Sequence, residues 1–145
     1  MTSEKTITLQ VERGGETVSQ EVRMRYCAAS ETGFEMMSGK SSDVFLPIRT
    51  VGDDGEERVE MPKMSLEDQL DLAFASIVAA YSAREEAVPF KKDDILLRVD
   101  YDGILLLVRT VWELRAAWYQ VPSVVEQNEL IEDNEKASDQ SPKNA

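Results

Sequence analysis

No histidine occurs in this chain, and cysteine occurs once, as Cys27. Without an imidazole there is no Ser-His-Asp or Cys-His nucleophile and no histidine metal ligand. A lone cysteine excludes an internal disulfide and any Cys-x-x-Cys metal or redox motif. Cys27 ends an alternating apolar run and reads as a small buried hydrophobe, with a reactive thiol as the alternative. Long hydrophobic runs are lacking too. The apolar stretch 104–108 stops at Arg109, far short of the ~20 residues a membrane span needs. The first five residues lack the basic stretch and apolar core of a secretory signal, so a cytoplasmic location is expected.

Basic residues are scarce: 16 Lys and Arg stand against 28 Asp and Glu, for a net charge of −12. Such a surface repels nucleic acid and anionic membranes. It suits soluble proteins that bind basic protein partners or mimic a nucleic acid. There is no Walker motif, no GxGxxG, no GxSxG and no basic-aromatic patch. No cofactor, metal or catalytic residue is therefore expected, and the chain reads as a non-enzymatic binding protein.

At 145 residues the chain is sized for one domain with its own core. Residues 6–11 and 18–26 alternate apolar and polar around Gly14-Gly15, which predicts a β-hairpin. Its inward face carries Ile7, Leu9 and Val11 on one strand and Val22, Met24 and Tyr26 on the other. Ser30 is placed to cap a short helix ending at Gly39, with Phe34 and Met37 inward. Residues 44–51 and 58–61, around Gly52-Asp53-Asp54-Gly55, read either as a second hairpin limited by Pro47 to an edge or as a mobile loop. Ser65 caps a long helix with Leu66, Leu70, Ala73, Phe74, Ile77 and Tyr81 at helical spacing. Asp93 or Asp94 can cap a further turn. Asp102-Gly103 then either interrupts or lies on a last helix running to Tyr119. That helix is apolar around much of its circumference, so it is central or buries a second face against a partner or another copy. The expected fold is α+β over 1–121: the hairpin, with two more strands if 44–61 is ordered, packed on three to four helices. Residues 122–145 read as a disordered acidic tail.

The aspartates at 93, 94, 100 and 102 superficially suggest a calcium loop. The residue six after Gly103 is Arg109, where that loop needs a bidentate Glu, so helix caps account for them better. Asp53, Asp54, Glu56 and Glu57 read as a solvated loop tip or an acidic docking surface. Trp112 reads as core. Trp118, beside Tyr119 and Pro122, is either core or an interface anchor.

The stretch 22–41 (VRMRYCAASETGFEMMSGKS), the helix over 70–81 and the acidic-capped helices ending near Trp118 together resemble the tail assembly chaperones of long-tailed bacteriophages and prophages. The resemblance covers about 18–119 and departs from the family over 46–62, which is longer here. It implies a non-enzymatic protein that binds the tape measure protein and/or the tail tube subunit during tail assembly, many members engaging the tube subunit through a frameshifted extension. Lys143-Asn144 is compatible with the slippery codons such genes use for frameshifting. Trp118, Tyr119, Val124 and Val125 are the expected client-contact residues. The competing reading is an acidic inhibitor or nucleic-acid mimic that fills the basic cleft of a DNA-processing enzyme.

Overall fold

The computed structural model describes residues 3–60, 62 and 64–119. The expected tail, and Met61 at the end of the expected second hairpin, lie outside the described residues. The architecture is α+β. Strands β1 (Ser3–Arg13) and β2 (Glu16–Tyr26) pair antiparallel with Arg13 opposite Glu16. Gly14 and Gly15 connect them with φ of 59° and 81°. A two-residue turn with both residues at positive φ matches the right-handed twist of the flanking strands, and glycine adopts it without strain.

A two-stranded hairpin is marginal by itself in water, so its apolar face has to be covered. Ile7, Leu9, Val11, Val22, Met24 and Tyr26 are all buried, as the alternation predicts. Helices α2 (Leu66–Ser82) and α4 (Tyr101–Tyr119) supply the cover, with Leu72, Ile77, Leu107 and Val111 fully buried beneath them. Helix α1 (Ala28–Ser38) packs along α2. The two helices come close at Gly33, where an added Cβ would stand 3.1 Å from the Ala75 Cβ. Glycine costs a helix about 1 kcal/mol relative to alanine, and close helix contact is the structural reason it sits here.

Several boundaries differ from the sequence expectation. Cys27, half-exposed rather than buried, is the N-cap of α1. Ser30 lies inside the helix, buried, accepting from the Cys27 N–H at 3.1 Å and donating to the Arg25 carbonyl at 2.8 Å. Met37 is only half-buried, while Phe34 is fully buried. Residues Ser42–Phe45 form a 3-10 turn that buries Phe45, not the start of a strand. The strand β3 (Ile48–Val51) begins only after Pro47, whose fixed φ and missing N–H suit a strand entrance. It pairs with β4 (Glu57–Glu60), so the second hairpin is ordered, yet every residue of both strands is exposed. The two hairpins form separate sheets.

The helical region after 90 also divides differently. Helix α3 (Lys92–Arg98) has Lys91 as its N-cap, with Asp93 and Asp94 in its first turn. The chain then breaks at Val99, not at Asp102-Gly103. Val99 is extended and bridges to Val11 of β1. Asp100 restarts the helix by accepting the Gly103 N–H at 2.8 Å, the usual role of Asp before a first turn.

Two carboxylates are buried on α2. Asp68 takes both its oxygens to Lys40 Nζ, at 3.0 and 2.9 Å. Asp71 lies 2.5 Å from Lys92 Nζ, which also approaches Glu67 at 4.0 Å. A buried carboxylate left without a counter-charge is costly, so these lysines anchor the loop after α1 and the start of α3 onto α2.

Replacing Lys92 by Met should lower stability by about 1–3 kcal/mol, since it leaves the buried Asp71 without its partner; the double change with Asp71→Leu should recover most of the loss in urea melts. Gly33→Val should cost about 1–3 kcal/mol through overpacking against Ala75, again by urea melting. An unchanged midpoint in either single variant would contradict this packing.

Candidate functional site

The expected client-contact residues sit at the C-terminal end of α4. Trp118 is half-buried and packs against the core, while Tyr119 is 45% exposed. Val124 and Val125 lie outside the described residues. Arg115 explains why this end is partly closed. Its guanidinium stacks 4.9 Å from the Tyr119 ring centroid, 5.6 Å from Trp112 and 6.0 Å from Phe45. Phe45 in turn contacts Phe34 at 4.6 Å and meets Trp112 edge-on at 5.4 Å. The Trp112 Nε1–H donates to Gln69 Oε1 at 2.9 Å, so this half-buried indole joins α4 to α2.

Two phenols converge on one carboxylate beside this stack. Tyr26, buried in β2, donates its hydroxyl to Glu31 Oε2 at 2.8 Å, and the exposed hydroxyl of Tyr119 donates to the same oxygen. The two rings lie 6.4 Å apart. Burial, then the bond to Glu31, pushes the Tyr26 phenol well above the ordinary tyrosine range, and the same causes raise Tyr119. The cluster holds protons tightly near neutral pH. Its phenols serve as structural donors that fasten the end of α4 to the start of α1.

A more open surface lies elsewhere. Leu66, Leu70 and Phe74 run four residues apart along α2 and face Ile95 and Leu96 of α3. Between them is a groove of about 370 Å³, rimmed by Glu67, Lys92 and Asp93. Leu96 is 54% exposed, and Leu66 is exposed as well. Beyond the groove, Leu97 is 79% exposed and Tyr101 is 66% exposed, with Leu105 also open four residues on. The interaction with Asp71 raises the Lys92 ammonium above its ordinary range, so at the groove's edge this charge stays paired with the buried carboxylate.

The aspartates 93, 94, 100 and 102 do not gather into a ligand shell. Among the described residues, no group of three or more Cys, Asp or Glu side chains is placed to hold a metal ion. Asp94 instead pairs with Arg98 at 3.8 Å, and Asp100 caps α4. Among those residues, too, no helix is long and apolar enough to cross a membrane. Sequence reasoning placed Leu66, Leu70 and Phe74 on an inward stripe and missed that α3 leaves part of that stripe open. The only available signal was the apolar triplet 95–97, too dense for one buried face of a seven-residue helix.

No protein-family model, curated protein or solved structure matches the chain.

The raised phenols and Lys92 make stability sensitive to alkali in a defined direction. A group whose pKa is higher when folded contributes stability that is complete below its unfolded value. That stability is lost as pH rises through the folded value. Stability should therefore be flat through neutral pH and fall above about pH 10, where free tyrosine and lysine begin to lose their protons. Absorbance at the tyrosinate band should show Tyr26 ionising only with unfolding, a late component that Tyr26→Phe removes. Early, reversible ionisation of all tyrosines would contradict the buried cluster.

Proposed function

We propose that this protein is a non-enzymatic binding protein of the tail assembly chaperone type, which shields apolar helical segments of a tape measure protein before tail-tube assembly. The observation that supports it is the contrast between a strongly acidic chain and the exposed apolar side chains of α3 and the start of α4 (Leu96, Leu97, Tyr101 and Leu105), of which Leu96 lines an open groove. Acidic charge keeps such a protein soluble, while large open apolar patches characterise surfaces that take up partners. Binding through them buries apolar area and tolerates salt. The tail tube protein is the second expected partner.

An acidic inhibitor of a DNA-processing enzyme is the competing reading, and the projecting β3–β4 ribbon with its acidic tip is the feature that favours it. Within that ribbon, however, Asp54 pairs with Arg58 at 3.6 Å and Glu57 with Arg49 at 3.3 Å. Basic residues interleaved in this way weaken any likeness to a row of phosphates, so the chaperone reading is preferred.

Co-expression with a phage tape measure protein should raise the soluble fraction of that protein and yield a complex that survives high salt. A complex that dissolves as salt rises, or capture of a DNA-processing enzyme in its place, would support the inhibitor reading against this one.

A further inference from the structure

We infer that the α2–α3 groove is a docking site for one face of a short amphipathic helix with a basic flank. This inference rests on the proposed binding role and specifies the kind of segment that site accepts. Both walls are helical; the exposed Leu66 and Leu96 and the half-buried Phe74 form the sides, and the buried Leu70 and Ile95 form the floor. Helical walls leave no strand edge to pair with, so an extended segment would lose its backbone hydrogen bonds to water without replacement. A helix satisfies its own backbone and needs only an apolar stripe.

The length of the groove sets the length of the ligand. Residues 66 to 74 span about 12 Å along α2, which matches about two helical turns. An occupant therefore presents about three or four apolar side chains at i, i+3, i+4 and i+7.

The rim sets its charge. Lys92 is outnumbered by Asp71, Glu67 and Asp93, and its ammonium is held back against the buried Asp71 at 2.5 Å. The most exposed charges at the lip are carboxylates, with the Glu67 side chain 78% open against 32% for Lys92, and Asp93 exposed as well. The rest of the chain, at net −12, adds to that field. Lys or Arg beside the apolar stripe complements the rim, whereas Glu or Asp there is repelled.

The test uses the full chain and two synthetic helices of about 16 residues with the same leucine stripe, one flanked by lysine and one by glutamate, read by fluorescence anisotropy. The lysine peptide should bind saturably and the glutamate peptide at least about tenfold more weakly. Leu96→Glu changes an exposed side chain and should leave the circular dichroism spectrum intact. It should weaken the lysine peptide about tenfold or more. Since that variant adds a negative charge, a merely electrostatic contact would grow stronger, so unchanged or tighter binding overturns the inference. The pair Glu67→Lys with Asp93→Lys should reverse the preference between the two peptides; retention of the original preference also overturns it. Failure of the proposed role reads differently. A salt-tolerant complex with tape measure protein that Leu96→Glu leaves intact sinks the groove and keeps the chaperone reading. Groove binding of the peptide with no effect on tape measure solubility sinks the chaperone reading and keeps the groove.

Discussion

Two carboxylates buried on neighbouring turns of α2 constrain much of the rest of this structure. Burying the Asp68 and Asp71 carboxylates is costly unless cations are brought to them. Lys40 reaches Asp68 from the loop after α1, and Lys92 reaches Asp71 from the first residue of α3. These links fix two chain segments against the helix that also covers the hairpin. Helix α3 is attached to α2 through Lys92 at its start, to the core through the buried Ile95, and to β1 through the Val11–Val99 bridge just past its end, which leaves Leu96 exposed along the groove. The groove is a consequence of that mode of attachment.

The opposite end of the molecule is closed by different means. Arg115 stacks against three aromatic rings, and Glu31 gathers the hydroxyls of Tyr26 and Tyr119. Aromatic faces, a guanidinium and a charge-assisted acceptor make a cohesive cluster. It ties the end of α4 to α1, so the side chains there have their main partners within the fold. The apolar surface near the groove has no comparable cluster over it. This contrast directs the functional argument towards α2 and α3.

The hairpin was readable from sequence because period-two alternation on either side of Gly14-Gly15 admits one register with one buried face. Ser65 was equally plain as a cap, and its hydroxyl accepts the Asp68 N–H at 3.1 Å. Pro47 signalled a limit to its strand, and the strand begins one residue later. Other features depend on contacts distant in sequence. The break before α4 falls at Val99 because β1 draws that residue into a bridge, and nothing local distinguishes it from helix. Cys27 caps α1 because β2 delivers it in extended backbone, although serine is the better capping residue by composition. Lys40 and Asp68 lie 28 residues apart, beyond any local pattern. The groove was hidden for a similar reason: the stripe of Leu66, Leu70 and Phe74 looks the same whether a neighbour covers it fully or in part. Of the expected contact residues, Trp118 and Tyr119 proved to be tied into the fold around them, which hydrophobic spacing alone does not reveal.

Amide hydrogen exchange of the full chain, with and without a saturating lysine-flanked amphipathic helix, tests the central claim most directly. The account predicts slowed exchange concentrated in 92–98 and in the first half of α2, with the β3–β4 ribbon and the end of α4 unchanged. Protection centred on the ribbon or on the Arg115 cluster, with α3 exchanging as before, would contradict it.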